Sequence, residues 1–342
     1  MLTYSYLAAG KAGFCEKEKP RIIDDKDAIV RVTLSSICTS DLHIIHGSVP
    51  RAVTGVTLGH EAVGVVEQVG KGVKTLSPGD RVAVNVETFC GECYFCRHGW
   101  VNNCTDKNGG WALGCRIDGM QAPFVRVPYA DTGLSKIPDN VTDRQALFVG
   151  DILATGYWAA DISETGRGDN VLVLGGGPTG VCCALCADIM GANVILCEKS
   201  GSRGEFLRKN FPYIRTVCPK EAERICLSFP RGGADRVIEA AGGEDTFQTA
   251  WKLARPNAIV TVVAMYDKPQ VLPLPDMYGK NLIFKTGGVD GCKCDKTLEL
   301  IAQGKLDTTP LITHTFAFAQ MDKAYELFAS RNDGVMKVAI TY

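Results

Sequence analysis

Short apolar runs broken by glycine and proline dominate residues 28–90. Ala28-Ile29-Val30-Arg31-Val32, Ala62-Val63-Gly64-Val65-Val66 and Arg81-Val82-Ala83-Val84 are strand-length, and Gly70, Gly72 and Pro78-Gly79-Asp80 punctuate them. This spacing predicts a compact β-rich unit with tight turns. The pattern changes after about residue 150. Asn170–Leu174 is a wholly apolar strand. It is followed by Gly175-Gly176-Gly177-Pro178-Thr179-Gly180, a helical run from Val181 to Gly191, and a second strand at Asn193–Glu198. That is a β-α-β unit, for which a right-handed crossover is expected. The alternation continues through Arg236–Ala240, a helix around Asp245–Ala254 and a strand at Ala258–Val263. Apolar strands alternating with helices predict a doubly wound parallel sheet. The tail from about residue 290 predicts a helix at Cys294–Gln303, a strand at Ile312–Phe316, and a final helix and strand. Residues 90–119 are loop-rich, dense in Cys, Gly and Asn, and a loop of that length needs something to hold it.

The length of 342 residues suits two domains. Lys+Arg number 37 and Asp+Glu 38, a net charge of −1. With no basic patch or charge run, nucleic acid and anionic membrane surfaces are poor candidates for partners. No apolar stretch approaches a membrane span, and no basic segment leads into an apolar core at the start of the chain. The 15 cysteines are too many, and odd in number, for a disulfide framework. They suit a reducing cytoplasm. Cys182, Cys183 and Cys186 fall in the apolar helix, where cysteine acts as a small hydrophobe.

Four cysteines change the picture most. Cys90, Cys93, Cys96 and Cys104 are spaced C-x2-C-x2-C-x7-C, a closed set of soft thiolates suited to a tetrahedral zinc. Free surface thiols would rarely fall at that spacing. The metal's binding energy would go into ordering the loop. The glycine run reads G-x-G-x-x-G at Gly175, Gly177 and Gly180, between a strand and a helix, the context that marks a dinucleotide pyrophosphate site. Glu198, ending the second strand, is placed to accept bonds from a ribose 2′-hydroxyl and to repel a 2′-phosphate, which favours NAD(H) over NADP(H). Lys199 and Arg203 close by pull the other way. Cys38, His60 and Asp151 supply one thiolate, one imidazole and one carboxylate, the three ligands of a zinc that keeps a position open. Taken singly, Cys38 reads as core, His60 as a turn residue, and Asp151 as the cap of the helix that follows it.

Together these residues resemble one family, the zinc-dependent medium-chain alcohol dehydrogenases. Gly59-His60-Glu61-x2-Gly64-x5-Gly70-x2-Val73 matches the family's zinc signature, the four-cysteine loop its structural zinc lobe, and Gly175–Gly180 with Thr155-Gly156 its cofactor domain. The resemblance implies a GroES-like β-rich catalytic domain over 1–152, with the zinc lobe at about 88–106. It implies a Rossmann domain over 153–288 and a C-terminal return to the catalytic domain over 289–342. It implies two zinc ions per chain, with Cys38, His60 and Asp151 as catalytic ligands and Glu61 as an exchangeable fourth. Many members carry cysteine where this chain has Asp151. The aspartate, with the run Cys38-Thr39-Ser40-Asp41-Leu42-His43, is similar to bacterial secondary alcohol dehydrogenases, which often lack the structural cysteines kept here.

By the same resemblance Ser40 touches the substrate oxygen, His43 relays its proton to solvent, and Asp41 orients His60. Thr39, Thr155, Pro178, Thr179, Ala240, Ala264, Gly288 and Val289 fall to the cofactor, and Lys337 to its pyrophosphate. Val86, Trp111, Met265 and again Val289 are candidates for the substrate pocket. A residue as small as Val86 leaves room for a second carbon substituent. The expected activity is hydride transfer between a nicotinamide and a secondary alcohol or ketone, with zinc polarising the substrate oxygen. A polyol or hydroxysteroid is the alternative substrate, and a silent dinucleotide-binding protein the alternative class. A homo-oligomer is expected, a tetramer ahead of a dimer.

Overall fold

The computed structural model describes residues 1–342 except 267 and 333. The chain forms two units. One comprises Met1–Ala154 with Asp290–Tyr342, and the other Thr155–Val289. The division falls at 154, inside the helix Ile152–Ile162, rather than at 152, and at 289 rather than 288.

The first unit is built on a mixed sheet. Its strands run in the order Ile312–Ala317, Lys337–Thr341, Ala28–Ile37, Ala62–Val69, Arg81–Val84 and Leu134–Lys136, and Phe124–Val127 also pairs with Ala28–Ile37. Val30, Val32, Val66, Val82, Val84, Val125 and Val127 meet in one buried cluster, as alternating β-branched residues should. Two of the strands come from the C-terminal segment. Lys337–Thr341 runs antiparallel to Ala28–Ile37 with Val338 opposite Ile37, which sets Lys337 beside Cys38. An N-terminal hairpin, Leu2–Ala8 with Lys11–Glu16, was not among the expected strands.

The second unit is a six-stranded sheet, every pair parallel, in the order Arg215–Val217, Asn193–Cys197, Asn170–Leu174, Ala234–Glu239, Ala254–Val262, Ile283–Thr286. This is the doubly wound 3-2-1-4-5-6 order. Val171, Leu172 and Val173 are wholly buried, as a central parallel strand requires. The helix after the glycine run spans Pro178–Ile189, starting three residues earlier than expected because proline is tolerated in a first helical turn. Among the described residues no helix is long and apolar enough to cross a membrane.

Candidate active site and metal centres

Three separate segments deliver Cys38, His60 and Asp151 to one place, with their ligand atoms all within 4.8 Å of one another. Cys38 ends the strand Ala28–Ile37 and caps the helix Thr39–Ile45. Asp41 reaches back from the first turn to accept the Cys38 N–H at 3.0 Å, which fixes the cysteine. His60 follows Gly59, whose φ of +92° suits glycine and whose missing Cβ leaves room for Gln121. The Ser36 N–H donates to Glu61 O at 3.0 Å and holds this turn beside Cys38. Asp151 is anchored through its neighbour, since the Val86 N–H donates to Gly150 O at 3.0 Å. Its carboxylate turns inward rather than capping the following helix. Asp151 Oδ2 lies 3.3 Å from His60 Nε2 and 3.5 Å from Cys38 Sγ. The other imidazole nitrogen, Nδ1, lies 3.1 Å from Asp41 Oδ1, the placement expected of a partner that orients His60.

The surroundings are dry and highly charged. Burial pushes the Cys38 thiol up, with Lys337 opposing and Asp151 and Glu61 reinforcing. Burial disfavours a charged His60, but Asp41, Cys38 and Asp151 outweigh it and hold its pKa well above the ordinary value. Burial also works against an ionised Asp151, yet His60 wins and keeps it below the usual carboxylate range. A soft thiolate, an imidazole and a carboxylate in tetrahedral reach of one another fit zinc.

Two residues with expected roles meet each other. Lys337, expected at the cofactor pyrophosphate, is 2 % exposed, and its ammonium donates to Glu61 Oε2 and, at 2.9 Å, to Ile37 O. Glu61, expected as an exchangeable ligand, stands next to the ligand set and not in it. The physical reason is shared. A carboxylate and an ammonium buried side by side satisfy each other first. Burial still pushes Glu61 up to about 7 against the pull of Lys337. Ser40 Oγ is 3.9 Å from Cys38 Sγ. His43, half-buried, lies one helical turn beyond Ser40, and Thr39 is exposed.

Cys90, Cys93, Cys96 and Cys104 form the second cluster. Their Sγ···Sγ separations include 3.4 Å (Cys93–Cys96), 3.6 Å (Cys90–Cys104) and 3.9 Å (Cys90–Cys96). A tetrahedron with zinc–sulfur bonds of about 2.3 Å has edges of roughly 3.8 Å, so the residues fit the ion. Backbone N–H groups of Glu92 and Cys93 donate to Cys90 Sγ at 3.4 Å, and N–H donors from Cys96 and Thr105 bring Cys93 down to about 6. The donors on Cys93 favour its thiolate, the form that binds metal, while burial pushes Cys96 and Cys104 the other way.

The glycine run closes the strand Asn170–Leu174. Gly175 has φ +101°, and a Cβ on Gly180 would sit 1.8 Å from Gly175 O, so this turn can pack only without side chains. A Cβ on Gly177 would meet nothing within 4 Å. That open face lies at the N-terminus of Pro178–Ile189, where Pro178 and Thr179 begin the helix and free N–H groups suit a pyrophosphate. Thr155 is half-buried at the start of the unit, and Gly156 lets its helix lie against Cys182. Glu198 is buried, accepting N–H bonds from Gly176 at 2.9 Å and Ser200 at 2.7 Å, with Arg203 3.6 Å away. Lys199 points to solvent. Ala240 and Ala264, both half-buried, follow strand ends of the same sheet, where the Ala240 N–H donates to Leu174 O. Gly288 is exposed, and Val289 is 8 % exposed.

Of the pocket candidates, Val86 and Trp111 come together. Val86 is buried, and the next residue, Glu87, pairs with Trp111 across a two-stranded ladder. The Trp111 ring meets His60 edge-on at 5.5 Å, and the Arg51 guanidinium stands 5.0 Å over it. Met265 belongs to the second unit and is 49 % exposed. Sequence reasoning missed Gln121, which reaches Asp41 from 80 residues away, and Tyr325, which donates to Gln121; neither carries a motif.

Residues 24–139 match the family model described as the alcohol dehydrogenase GroES-like domain, and residues 178–294 match that of the zinc-binding dehydrogenases. The chain is 31% identical to an alcohol dehydrogenase of Cupriavidus necator, over 98% of this chain and 97% of that one. It is 30% identical to an NADP-dependent isopropanol dehydrogenase of Thermoanaerobacter brockii, over 99% of both. Among solved structures it superposes on zinc dependent alcohol dehydrogenase 2 from Streptococcus pneumonia with a TM-score of 0.91 and 33% identity, covering 100% of this chain and 98% of that one. The two matched domains, the paired metal-ligand clusters and the strand order converge on one conclusion, that this chain belongs to the zinc-dependent medium-chain alcohol dehydrogenase family.

Proposed function

We propose that this enzyme oxidises secondary alcohols and reduces the corresponding ketones with NAD(H). The observation that carries the reading is the Cys38–His60–Asp151 cluster with the Ser40 hydroxyl beside it. Cys38, His60 and Asp151 would hold one zinc, and Cys90, Cys93, Cys96 and Cys104 the other. When bound, the first zinc supplies Lewis acidity toward a substrate oxygen, and the nicotinamide supplies the hydride acceptor or donor. Ser40 accepts the alcohol proton at Oγ and passes it to His43, one turn along the same helix face. Asp41 holds the His60 ring in the orientation that presents Nε2 to the ligand set. Lys337 offsets the charge of Glu61 and keeps that carboxylate off the ligand positions.

The small buried Val86 supports a secondary over a primary alcohol, and the T. brockii relative, named an isopropanol dehydrogenase, points the same way. That relative is NADP-dependent. Glu198 supports the opposite preference here, because its carboxylate accepts bonds from ribose hydroxyls and repels a 2′-phosphate. Ile283–Thr286 lies at the edge of its sheet, with exposed Tyr278 and Ile283 nearby, which suits a homo-oligomer, a tetramer by resemblance. Fifteen cysteines with no disulfide among the described residues suit the cytoplasm. The test is a spectrophotometric screen of secondary alcohols, ketones, polyols and steroids with NAD(H) and NADP(H), on protein assayed for zinc. Turnover by fully metal-free protein, or none with any alcohol despite two bound zinc ions, would refute the reading. Equal losses for the two cofactors in Glu198→Ala would remove Glu198 from cofactor choice.

A further inference from the structure

We propose that Gln121 and Tyr325 are positioning residues for the Cys38–His60–Asp151 metal site, acting through Asp41; this rests on the zinc reading above. Asp41 is wholly buried and must find donors for both carboxylate oxygens. Oδ1 lies 3.1 Å from His60 Nδ1, an ion-pair approach in which neither atom has another partner among the described residues. Oδ2 accepts the Cys38 N–H at 3.0 Å and the Gln121 side-chain N–H at 3.4 Å. Gln121 is itself wholly buried, and its Oε1 accepts the Tyr325 hydroxyl at 2.8 Å.

The direction of every bond in this chain follows from chemistry. Flipping the Gln121 amide would set its carbonyl oxygen against a carboxylate, so the NH2 must face Asp41. Tyr325 must then donate, because Oε1 can only accept. With Oδ2 committed to two donors, Oδ1 is left for the imidazole. A carboxylate there favours the proton on Nδ1 and leaves Nε2 to bind metal.

The backbone around Gln121 is built to keep it in place. Its N–H donates to Leu58 O at 2.8 Å, and its carbonyl accepts the Tyr4 N–H at 2.9 Å. A Cβ on Gly59 would lie 2.7 Å from Gln121 Cγ, so the glycine before His60 is also what lets Gln121 approach. Tyr325 sits on the helix Met321–Ser330, and Tyr4 stacks on its ring at 5.0 Å and 15°. The C-terminal helix is thereby linked to a zinc ligand by a short line of directed hydrogen bonds.

Gln121→Leu keeps the volume and removes both bonds, and Tyr325→Phe keeps the stack and removes only the hydroxyl. Metal-free wild-type protein and each variant are titrated with cobalt(II), reading the visible ligand-field bands, and the loaded proteins are then competed with a chelator. Wild type takes up two equivalents. Gln121→Leu holds the equivalent at the Cys38 site about tenfold more weakly, with shifted bands, and leaves the four-thiolate equivalent unchanged. Tyr325→Phe does the same by a few-fold. Wild-type cobalt affinity and spectrum in Tyr325→Phe and in any folded Gln121→Leu overturn the proposal, even if the thermal midpoint falls, because that outcome is packing alone. Uptake of a single equivalent by wild type overturns the zinc reading, and the proposal with it.

Discussion

Replacing Lys337 by methionine tests how the buried charge beside the ligand set is balanced. The Lys337 and Glu61 side chains are 2 % and 0 % exposed and in direct contact, and Lys337 also lies 5.3 Å from the Phe148 ring. Removing one partner of such a pair leaves the other charge uncompensated, at a cost of about 3–5 kcal/mol, whereas removing both charges is close to neutral. For a unit of this size that cost is roughly 6–20 °C in midpoint, at 2–4 °C per kcal/mol. The double variant Lys337→Met/Glu61→Gln should recover most of the loss. The pH dependence has a definite sign. Burial holds Glu61 at about 7 with Lys337 present, and without the ammonium it goes higher. A carboxylate whose folded pKa exceeds its unfolded value stabilises the fold fully at low pH and loses that contribution as pH rises. Lys337→Met should therefore be more damaging at pH 9 than at pH 6. Thermal unfolding of the zinc-loaded wild type, both single variants and the double variant checks this. A double variant as unstable as Lys337→Met, or a deficit independent of pH, would refute the charge-pair reasoning.

Three further outcomes follow from the geometry. Gly180→Ala should abolish dinucleotide binding measured by fluorescence titration, since its Cβ would fall 1.8 Å from Gly175 O, while Gly177→Ala, with nothing within 4 Å, should fold normally and weaken binding only by crowding the pyrophosphate. Removal of the four-thiolate metal should expose the lobe around residues 88–106 to limited proteolysis and leave Thr155–Val289 protected, because the metal orders a loop in the other unit. Glu87 is buried and pushed up to about 7, from 4.5 when unfolded, so the protein should lose roughly 3 kcal/mol of stability as pH rises between those values. Glu87→Gln keeps an acceptor for the Cys292 N–H and should flatten that slope in denaturation at pH 5 and pH 8.

What the sequence made legible was local. The strand Asn170–Leu174, the glycine turn and the helix behind it are contiguous, so period and spacing were enough to place them. The four cysteines lie within one short loop, and their spacing alone implied their meeting. Cys38, His60 and Asp151 were grouped by ligand type and given weight by resemblance, because nothing in spacing brings Asp151 to a histidine 91 residues before it. Lys337 has a partner that resemblance did not name. It identified a basic residue near the C-terminus, but the strand register that buries this lysine against Glu61 lies in the pairing of Val338 with Ile37, which no local pattern reports. Gln121 left no signal at all, since one glutamine in a turn is ordinary until Gly59 and Asp41 are placed around it.

The arrangement around Cys38 also says why so many acids can share one dry site. Asp41, Glu61 and Asp151 are all within the neighbourhood of a buried thiol, against one lysine and one histidine. The carboxylates divide the available donor atoms among them. Glu61 faces Lys337, Asp41 faces His60 Nδ1 together with the Cys38 and Gln121 N–H donors, and Asp151 faces His60 Nε2 and Cys38. Two of these acids each have one oxygen bonded by donors that belong to the fold, Glu61 through Oε2 and Asp41 through Oδ2. The third shares its oxygen with a thiol and an imidazole nitrogen, groups that are all electron-pair donors once deprotonated. A fold stabilised only by hydrogen bonds has no reason to converge three donors in this way, because each would compete for the same proton. A divalent cation held by Cys38, His60 and Asp151 would resolve the competition by taking all three lone pairs at once. The partners of Glu61 and Asp41 would then hold those two carboxylates away from it.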